Sequence, residues 1–458
     1  MRKKTKGSLS PRVFLGPVEV AGYYSNLAKG FRELGVQCTF FTFKPHPFGY
    51  GGEDPKPWLL VLEDKWDVLR GRYLAPEFLR KLFGVPSVLL RCIWIIYVIL
   101  CHDVFIFGYG RSLTNRYQWD LWLIKLLGKK LIVNMAHGSE ARPPYVCGTN
   151  QSPDGTFLVS TEDIVRKAQA LKKRLRINER YADYIIGAPF STTYFASRKL
   201  INWFSLGVPI QLPRIDGDQP KQSKGVVGQD SKPVRILHSP SHPALKGSRC
   251  ILKAIENLKL KGFSIDLVLL TGRPHQEVLM EIRSCDFVVD QIYSDTPMAG
   301  FACEAAGYGK AVIVGGYGLQ ELRKHVPQEM WPPTYACLPE EVEMAMEKMI
   351  ADPNARNRVG VESRRFLENR WQAVDVASRY LSLVSGDIPN SWWIEPRDVV
   401  YIAGGGQSLA RTQKLISEII ERFGLEGLHL TDRPDLEKSF LNLVVTNKSE
   451  WSDTCVVS

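Results

Sequence analysis

The sequence predicts an α/β protein with two tandem Rossmann-like domains and a small C-terminal α/β extension. Short apolar runs alternate with segments of helical periodicity in two successive series. This alternation is typical of a parallel sheet covered by helices on both faces. A polar stretch rich in glycine and proline, residues 206–232, separates the two series and predicts a linker. The length of 458 residues also exceeds what one ordinary core occupies.

The first series defines a predicted domain over residues 1–205. It opens with an apolar run that ends in Gly16, followed by a loop and a helical segment, which together form a βαβ opening. The predicted strands are 12–16, 36–43, 103–107, 130–134 and 184–187, and the predicted helices are 23–34 and 119–127.

The second series defines a predicted domain over residues 233–385. Its predicted strands are 234–239, 265–271, 287–290 and 311–314, and its predicted helices are 247–260, 275–284, 302–308, 340–350 and 358–384. Each strand run is short and rich in branched apolar residues, as buried strands of parallel sheets are.

For the extension over residues 386–458, the sequence predicts a strand at 399–403, a glycine loop, a helix to residue 423, and strands at 427–430 and 441–445. Its glycine run, residues 404–406, lacks the spacing of the phosphate-binding loops GxxxxGK[ST] and GxGxxG. We therefore interpret the run as a strand-to-helix turn.

The composition predicts a folded, basic protein. Hydrophobic residues make up 45% and charged residues 23%, and the formal net charge of +11 suits anionic partners such as acidic lipids or sugar phosphates. The densest basic cluster, residues 167–176, predicts either a solvated helix face or a contact with anionic lipid. The other basic residues are scattered, so no nucleic-acid partner is predicted. Nine cysteines without a CxxC pair predict reduced, buried thiols and a cytoplasmic protein.

One aromatic and strongly apolar tract, residues 87–101, raises the question of a membrane. Its longest uncharged run is 10 residues, against the ~20 that a membrane-spanning helix needs. The tract therefore predicts either a buried helix or an interfacial helix that makes a peripheral contact with the membrane.

The strongest chemical signal is the segment 300–313, GFACEAAGYGKAVI. Gly300 allows a ligand to approach the backbone closely, and the N–H groups at a helix start hold negative charge. Glu304, predicted in the first turn of the helix, can accept hydrogen bonds from the vicinal hydroxyls of a ribose. The alternative is a plain carboxylate near a helix N-terminus, stabilised by the helix dipole.

A second signal is the segment 237–247, LHSPSHPALKG, which comprises a strand end, a loop, and Lys246 with Gly247 at a helix start. Open α/β sheets bind ligands at the carboxyl ends of their strands, so Lys246 can neutralise a diphosphate there. The alternative is a solvated lysine at a helix start. His238 and His242 lie in the same loop, where lone histidines are usually ordinary loop or core residues.

Together these motifs resemble the donor-binding half of the GT-B glycosyltransferases, in particular bacterial members of the retaining family 4, over about residues 12–384. The resemblance implies that Lys246 meets the donor diphosphate, that Glu304 meets the ribose, and that the backbone at Gly300 and Phe301 faces the transferred sugar. It implies further donor-side positions at Ser241, His242, Gly272, Arg273, Asp290 and Ala302.

The first domain matches the same family in two segments. The loop from Gly16 to Gly22 resembles the glycine-containing first loop, which belongs to the donor side of the cleft between the domains. Residues 135–145, MAHGSEARPPY, resemble a segment that places His137, Glu140 and Arg142 in that cleft. Residues 358–384 resemble the helix that crosses back to the first domain.

Two positions depart from the family pattern. Thr296 stands where the family often has a glutamate, eight residues before the ribose-binding one, and Asp295 is adjacent. Ser241 stands where the family often has an arginine, with His242 beside it. A neutral or switchable group neutralises a diphosphate less well than a permanent cation.

The resemblance implies transfer of a sugar, such as a hexose, from a nucleotide sugar to a glycan, glycolipid or lipid-linked acceptor, with retention, in polysaccharide or glycoconjugate biosynthesis. Lys246, Glu304 and His137 are the expected catalytic residues, and neither a metal nor another cofactor is expected. Two alternatives stay open: a degenerate relative that binds a sugar nucleotide or glycan as a partner subunit, and an epimerase with the same fold.

Overall fold

A computed structural model describes residues 10–44, 46–47, 50–51, 54–73, 83–115, 117–150, 158–214 and 232–446. It contains two sheets, each built mainly from parallel strands and flanked by helices. The predicted α/β class with two tandem Rossmann-like domains is confirmed. We call the two domains the first and second lobes.

The first lobe is a seven-stranded sheet in the order β12-β6-β5-β4-β3-β1-β2. Its strands are β1 (Val13–Gly16), β2 (Cys38–Phe40), β3 (Val104–Gly108), β4 (Lys130–Asn134), β5 (Tyr184–Gly187), β6 (Leu200–Asn202) and β12 (Trp393–Ile394). All neighbours are parallel except the edge strand β12, which runs antiparallel to β6. The central strands are buried on both faces, which explains their continuous apolar runs.

The second lobe is a five-stranded parallel sheet in the order β11-β10-β9-β7-β8. Its strands are β7 (Val234–His238), β8 (Ile265–Leu269), β9 (Phe287–Val289), β10 (Ala311–Gly315) and β11 (Tyr335–Cys337). In both lobes the chain moves outward from its first strand in one direction and then returns to that strand's other side. The switch points, between β1 and β3 and between β7 and β9, are where open α/β sheets bind ligands.

Helices cover both sheets. They are α1 (Tyr23–Glu33), α2 (Trp58–Tyr73), α3 (Val85–Cys101), α4 (Trp119–Leu126), α5 (Thr161–Tyr181), α6 (Trp203–Leu206), α7 (Pro243–Lys246), α8 (Ser248–Leu260), α9 (His275–Ser284), α10 (Gly300–Gly307), α11 (Leu319–Leu322), α12 (Val342–Ala351), α13 (Pro353–Phe366), α14 (Ala373–Ser385), α15 (Leu409–Phe423) and α16 (Pro434–Thr446).

The helix predicted at 358–384 is two helices, α13 and α14, separated by a π-helical turn at Leu367–Trp371. The break has a local cause in the linker between the lobes. Ile210 donates its N–H to the carbonyl of Trp371 and accepts from the N–H of Ala373, so these backbone groups are not available to a continuous helix. Beyond the break, α14 returns to the first lobe and packs on α1.

The extension differs from its prediction. Residues 399–403 form no strand, Leu425–Leu428 is a 3₁₀ turn, and the run predicted as a last strand lies inside α16. A short apolar run does not distinguish a strand from a buried helix, and in α16 this run buries Leu443 while Leu441 and Val445 stay exposed. Phe440, the residue before the run, packs edge-on against Tyr145 of the first lobe.

The basic cluster at 167–176 lies in α5 and anchors the extension. Lys172 donates to the carbonyl of His429 at 2.7 Å and pairs with Asp432, which also accepts from Arg176. Both cations are therefore used inside the molecule, which neither interpretation of the cluster anticipated.

Three sequence expectations concern compartment. No helix in the described ranges is both long and apolar enough to span a bilayer. The tract at 87–101 lies in α3, which buries one face and exposes the other. Seven described cysteines are free thiols, but Cys250 is disulfide-bonded, so the prediction of an entirely reduced set is wrong at that position.

Candidate functional site

The cleft between the lobes holds two adjoining cavities. The larger, of about 420 Å³, is lined by the start of α1, the linker residues 208–211 and 213, and side chains of α9 and α10. The smaller, of about 160 Å³, lies between residues 136–138 of the first lobe and residues 295–300 of the second. Ala21, Val208 and Gly300 line both cavities.

Helix α10 begins at Gly300, one of the residues that line both cavities, and we call these residues the shared wall. A Cβ on Gly300 would lie 3.5 Å from the Cβ of Ala21, so the two lobes approach closely here. No side chain caps the helix, and its first turn contains no acidic residue. The first N–H groups of a helix have no intrahelical partner, so this N-terminus is free to hold an anion.

Helix α1, the corresponding helix of the first lobe, is different because its N-terminus is already occupied. The buried carboxylate of Glu19 accepts from the N–H of Tyr24 at 3.2 Å and of Ser25 at 2.8 Å. Burial raises the pKa of Glu19. Of these two comparable positions, only the one in the second lobe is open to a phosphate. Sequence reasoning missed Glu19, although an acidic residue before a helix start is a recognisable capping signal.

Glu304 is the fifth residue of α10 and lines the larger cavity. The helix starts two residues earlier than predicted, so Glu304 lies beyond the first turn. Its Oε1 accepts from His275 Nε2 at 2.7 Å and from Tyr50 Oη at 3.2 Å. The hydrogen bond to Glu304 raises the pKa of His275. Tyr50 belongs to the first lobe, so this cluster joins the lobes across the cleft.

Sequence reasoning missed both Tyr50 and His275. They lie 225 positions apart in the numbering, yet their ring centroids are 4.5 Å apart. No spacing rule along the chain could have paired them, because they meet only when the lobes face each other.

Lys246 lies at the end of α7, beside the switch point of the second sheet. Its Nζ donates to Gln291 Oε1 at 2.7 Å and lies 3.4 Å from Asp290 Oδ1. The Asp290 side chain is almost fully buried, and its Oδ2 has no hydrogen-bond partner among the described residues. His238, directly after which the loop begins, is a buried core residue held by Val289 O and Ser248 Oγ.

His137 lines the smaller cavity. Its Nε2 lies 2.9 Å from Tyr24 Oη, and burial lowers its pKa to about 3. The imidazole is therefore neutral at physiological pH and can exchange hydrogen bonds but not carry charge. Glu140 lies behind it: this buried carboxylate accepts from the His137 N–H at 2.6 Å and does not line either cavity.

Arg142 and Asp295 form an ion pair across the smaller cavity, one from each lobe. The Arg142 guanidinium packs on Gly405, where a Cβ would approach Cζ to 2.5 Å. Thr296 also lines this cavity, and its buried Oγ1 has no partner among the described residues. At the departure Thr296, the structure thus places an unsatisfied hydroxyl beside the acidic group of Asp295.

The remaining sequence-derived positions lie around these cavities. Gly22 lines the larger one, whereas Gly16 packs against the carbonyl of Phe41 where no Cβ would fit. The positions outside the lining of both cavities are Gly16, Ser241, His242, Gly272, Arg273, Asp290, Lys246, Phe301 and Ala302.

Three of these outlying positions differ in their local surroundings. His242 precedes α7, and its Nδ1 is buried without a partner among the described residues. Arg273 lies 4.0 Å from Glu277 on the turn into α9. Ala302 is fully buried in the first turn of α10, so only its backbone can meet a ligand.

The glycine run 404–406 connects the two lobes. Gly405 pairs with Cys147 of the first lobe, and Gly406 donates to the carbonyl of Tyr293 in the second at 2.7 Å. Close packing against Arg142 and Leu245 accounts for the absence of side chains at 405 and 406. Within the described ranges, no cluster of three or more His, Cys, Asp or Glu side chains is arranged to hold a metal ion.

No known protein-family model matches this sequence, and no curated protein matches it. Solved structures do align with the chain. HepE of Anabaena, in complex with UDP and glucose, is 14% identical with a TM-score of 0.44, and the alignment covers 82% of this chain and 99% of HepE. The glycotransferase of kitacinnamycin is 12% identical with a TM-score of 0.40, covering 83% and 100%.

The glycosyltransferase SnogD from Streptomyces nogalater is 10% identical with a TM-score of 0.33, covering 82% of this chain and 99% of SnogD. These TM-scores are low. The fold assignment therefore rests on the order and direction of the strands, and the function has to be inferred from the site.

Proposed function

We propose that this chain is a glycosyltransferase that takes its sugar from a nucleotide donor bound mainly to the second lobe. The observation that carries the proposal is the uncapped N-terminus of α10, which lies at the wall between two cavities and one turn before Glu304. The matching end of α1 is filled by Glu19, so an anionic donor has one open helix terminus in this pair.

In this proposal the donor spans both cavities and passes the residues that line both of them. Its diphosphate meets the N–H groups at the start of α10, and Lys246 adds a positive charge from the adjacent loop. Its nucleoside occupies the larger cavity, where Glu304 accepts hydrogen bonds from the ribose hydroxyls. Tyr50 and His275 already donate to one oxygen of Glu304, so ribose binding shares or displaces these contacts.

The transferred sugar occupies the smaller cavity, beside His137. The bond between the anomeric carbon and the diphosphate oxygen breaks, and its electron pair leaves with the diphosphate. The acceptor hydroxyl forms the new bond to that carbon, and its proton passes to the leaving diphosphate. Helix N–H groups and a lysine stabilise the leaving charge electrostatically, so the proposal needs no metal ion or other cofactor.

The finer parts of the proposal come from the family resemblance. They are transfer with retention, a hexosyl-type donor, and a glycan, glycolipid or lipid-linked acceptor that approaches from the first lobe. They also include a role in polysaccharide or glycoconjugate biosynthesis in the cytoplasm.

Closure of the lobes over the bound donor excludes water, which otherwise hydrolyses the donor.

One observation favours a second candidate, a non-catalytic relative that binds a sugar nucleotide or glycan. The charged side chains of the cleft pair with one another: Arg142 with Asp295, and Lys246 with Asp290 and Gln291. In a site that has lost its activity, charged groups are expected to pair within the protein. Turnover separates the two candidates, because only a transferase releases nucleoside diphosphate when an acceptor is supplied.

The first test is a thermal-shift screen of the full chain with UDP-, GDP-, ADP- and CMP-sugars. A ligand that binds only the folded state raises the melting temperature by mass action. We expect stabilisation by one nucleotide class, and about a tenfold or greater loss of affinity in Glu304→Gln, which keeps the shape but loses a charged acceptor.

The matched control is Glu347→Gln, an exposed glutamate on α12 that pairs with Lys261 at 3.1 Å. It should respond to the ligand as the wild type does. If no nucleotide sugar stabilises the wild type, or if both variants lose affinity equally, the donor site is misplaced.

A further inference from the structure

One face of α10 forms a wall of the larger cavity over the whole length of the helix. Gly300, Glu304 and Tyr308 all line the cavity, and Tyr308 directly follows the last residue of α10. Residues four apart lie on the same face of a helix, and the rise of about 1.5 Å per residue spaces the three positions about 6 Å apart. The cavity therefore extends from the shared wall, past Glu304, to Tyr308.

Helix α1 forms the facing wall of the same cavity. A Cβ on Gly300 would lie 3.5 Å from the Cβ of Ala21, and α1 starts two residues after Ala21. Both helices therefore begin at the shared wall. Lys29, the seventh residue of α1, also lines the cavity. Because both helices lead away from one point along one cavity, Lys29 and Tyr308 lie at the end of the cavity that is remote from the shared wall.

Lys29 gives this remote end a positive charge that the described residues do not neutralise. Its side chain is exposed and forms no ion pair or hydrogen bond with them. Glu33, one turn further along α1, instead accepts from Gln211 Nε2 at 3.3 Å. Glu304 is the one carboxylate among the described lining residues, and its Oε1 already accepts two hydrogen bonds. A lysine ammonium has three donors and no acceptor, so the remote end offers donors to a ligand.

Tyr308 adds an aromatic ring at the same end. Its side chain is half-buried, and its hydroxyl has no partner among the described residues. The linker closes the cavity beside it, because a Cβ on Gly307 would approach Pro213 Cδ to 3.2 Å and Pro213 itself lines the cavity. Aromatic rings stack on nucleobases of every type, so Tyr308 can hold a flat ring here.

We propose that Lys29 and Tyr308 bind the nucleobase of the donor, and that Lys29 selects a base with an exocyclic carbonyl group over one with an amino group. The inference rests on the proposed function, which puts the diphosphate at the start of α10 and the ribose at Glu304. Phosphate, ribose and base follow one another in a nucleotide as Gly300, Glu304 and Tyr308 follow one another along α10. The base therefore reaches the level of Tyr308.

The ammonium group of Lys29 distinguishes the bases by their hydrogen-bonding groups. Guanine presents the carbonyl oxygen O6 where adenine presents an amino group, and uracil presents O4 where cytosine presents an amino group. Lys29 donates to such an oxygen but has no acceptor for an amino group. An amino base leaves two donors facing each other and binds more weakly. Uridine and guanosine nucleotides are therefore the favoured class.

The test compares nucleotides that differ at this group, using titration calorimetry of the full chain. UDP is compared with CDP, and IDP, the inosine nucleotide, is compared with ADP. Within each pair only the carbonyl or amino group and the neighbouring ring proton change. We expect the carbonyl member of the pair that fits the cavity to bind at least about tenfold more tightly than the amino member. Preference for UDP would assign uracil, and preference for IDP would assign a guanine-type base.

The test variant is Lys29→Met, which keeps an apolar stem and removes the charge. We expect the two affinities of the pair to come within about threefold of each other, because the carbonyl nucleotide loses its donor and the amino nucleotide loses its mismatch. Tyr308→Leu should weaken both members alike, by at least about fivefold, since stacking does not depend on the base. The control is Lys259→Met, an exposed lysine on α8, which should bind as the wild type does.

Three results would overturn this inference and leave the proposed function standing. The wild type could bind both members of each pair equally well. Lys29→Met could keep the wild-type ratio of affinities, which would reduce Lys29 to a general attraction for the diphosphate. Tyr308→Leu could bind with wild-type affinity, which would place the base elsewhere in the cavity. Failure of every nucleoside diphosphate to bind would instead overturn the proposed function, and this inference with it.

Discussion

At the scale of single residues, the site is distinguished by which polar groups are satisfied and which are not. Glu304 and Lys246 have protein partners on the described chain. Asp290 Oδ2, His242 Nδ1 and Thr296 Oγ1 are buried without one. Such groups are costly to bury, and these three lie in the loops at the carboxyl ends of β7 and β9, where a bound ligand could satisfy them. The sequence predicts these loops because the ends of the apolar strand runs can be recognised in it, but it does not predict which side chains contact one another there.

The His275–Glu304 hydrogen bond gives a pH-dependent stability. The pKa of folded His275 is raised above its ordinary value of 6.5 by Glu304. The contact therefore contributes its full stability below about pH 6.5 and loses it as the pH rises through the higher folded pKa. We expect the melting temperature of wild type to exceed that of His275→Gln most at pH 5.5, with a smaller gap at pH 8.5. A gap that is constant with pH would contradict the assigned contact.

At the scale of elements, close helix packing fixes how the lobes are joined. A Cβ on Gly30 of α1 would overlap the carbonyl of Ala373 at the start of α14. Glycine at this position lets α14, which carries the chain back from the second lobe, lie directly against the first. The Tyr380 hydroxyl of α14 meets that of Tyr23 at 3.1 Å in the buried contact.

This packing predicts opposite effects for two glycine substitutions. Gly30→Ala should destabilise the protein by about 1–3 kcal/mol, because backbone must move to admit the methyl group. Gly71→Ala, in the last turn of α2 with open space around it, should be neutral or stabilise by up to about 1 kcal/mol. Urea unfolding of both variants measures the difference. Equal effects would show that α1 and α14 do not pack as described.

The elements also show what sequence reasoning can and cannot reach. Most strands of the two central series are predicted to within a few residues, because buried parallel strands form short continuous apolar runs and these runs alternate with segments of helical periodicity. The extension was predicted poorly, since its apolar runs are short and its neighbours are distant in sequence. The same limit applies to α3: periodicity showed an apolar helix, but only the fold shows which of its faces stays exposed.

At the scale of the whole molecule, the two lobes are held together at several separate places. The linker pairs with residues 371–373, α14 packs on α1, and the glycine run 404–406 contacts Cys147 on one side and Tyr293 on the other. Tyr401 adds a fourth contact by stacking on Phe190 at 3.8 Å while lying against Gly318. The extension thus contacts both lobes and helps to fix their positions on either side of the cleft.

In the proposed site, a nucleoside diphosphate binds at the start of α10 and not at the start of α1. The most direct measurement is a crystal structure of the full chain with the nucleoside diphosphate selected by the thermal-shift screen. We expect density for the phosphates within hydrogen-bond distance of the N–H groups of Gly300–Ala302, and ribose hydroxyls within hydrogen-bond distance of Glu304. Phosphates at the start of α1 with Glu19 displaced, or a nucleotide bound outside both cavities, would contradict it.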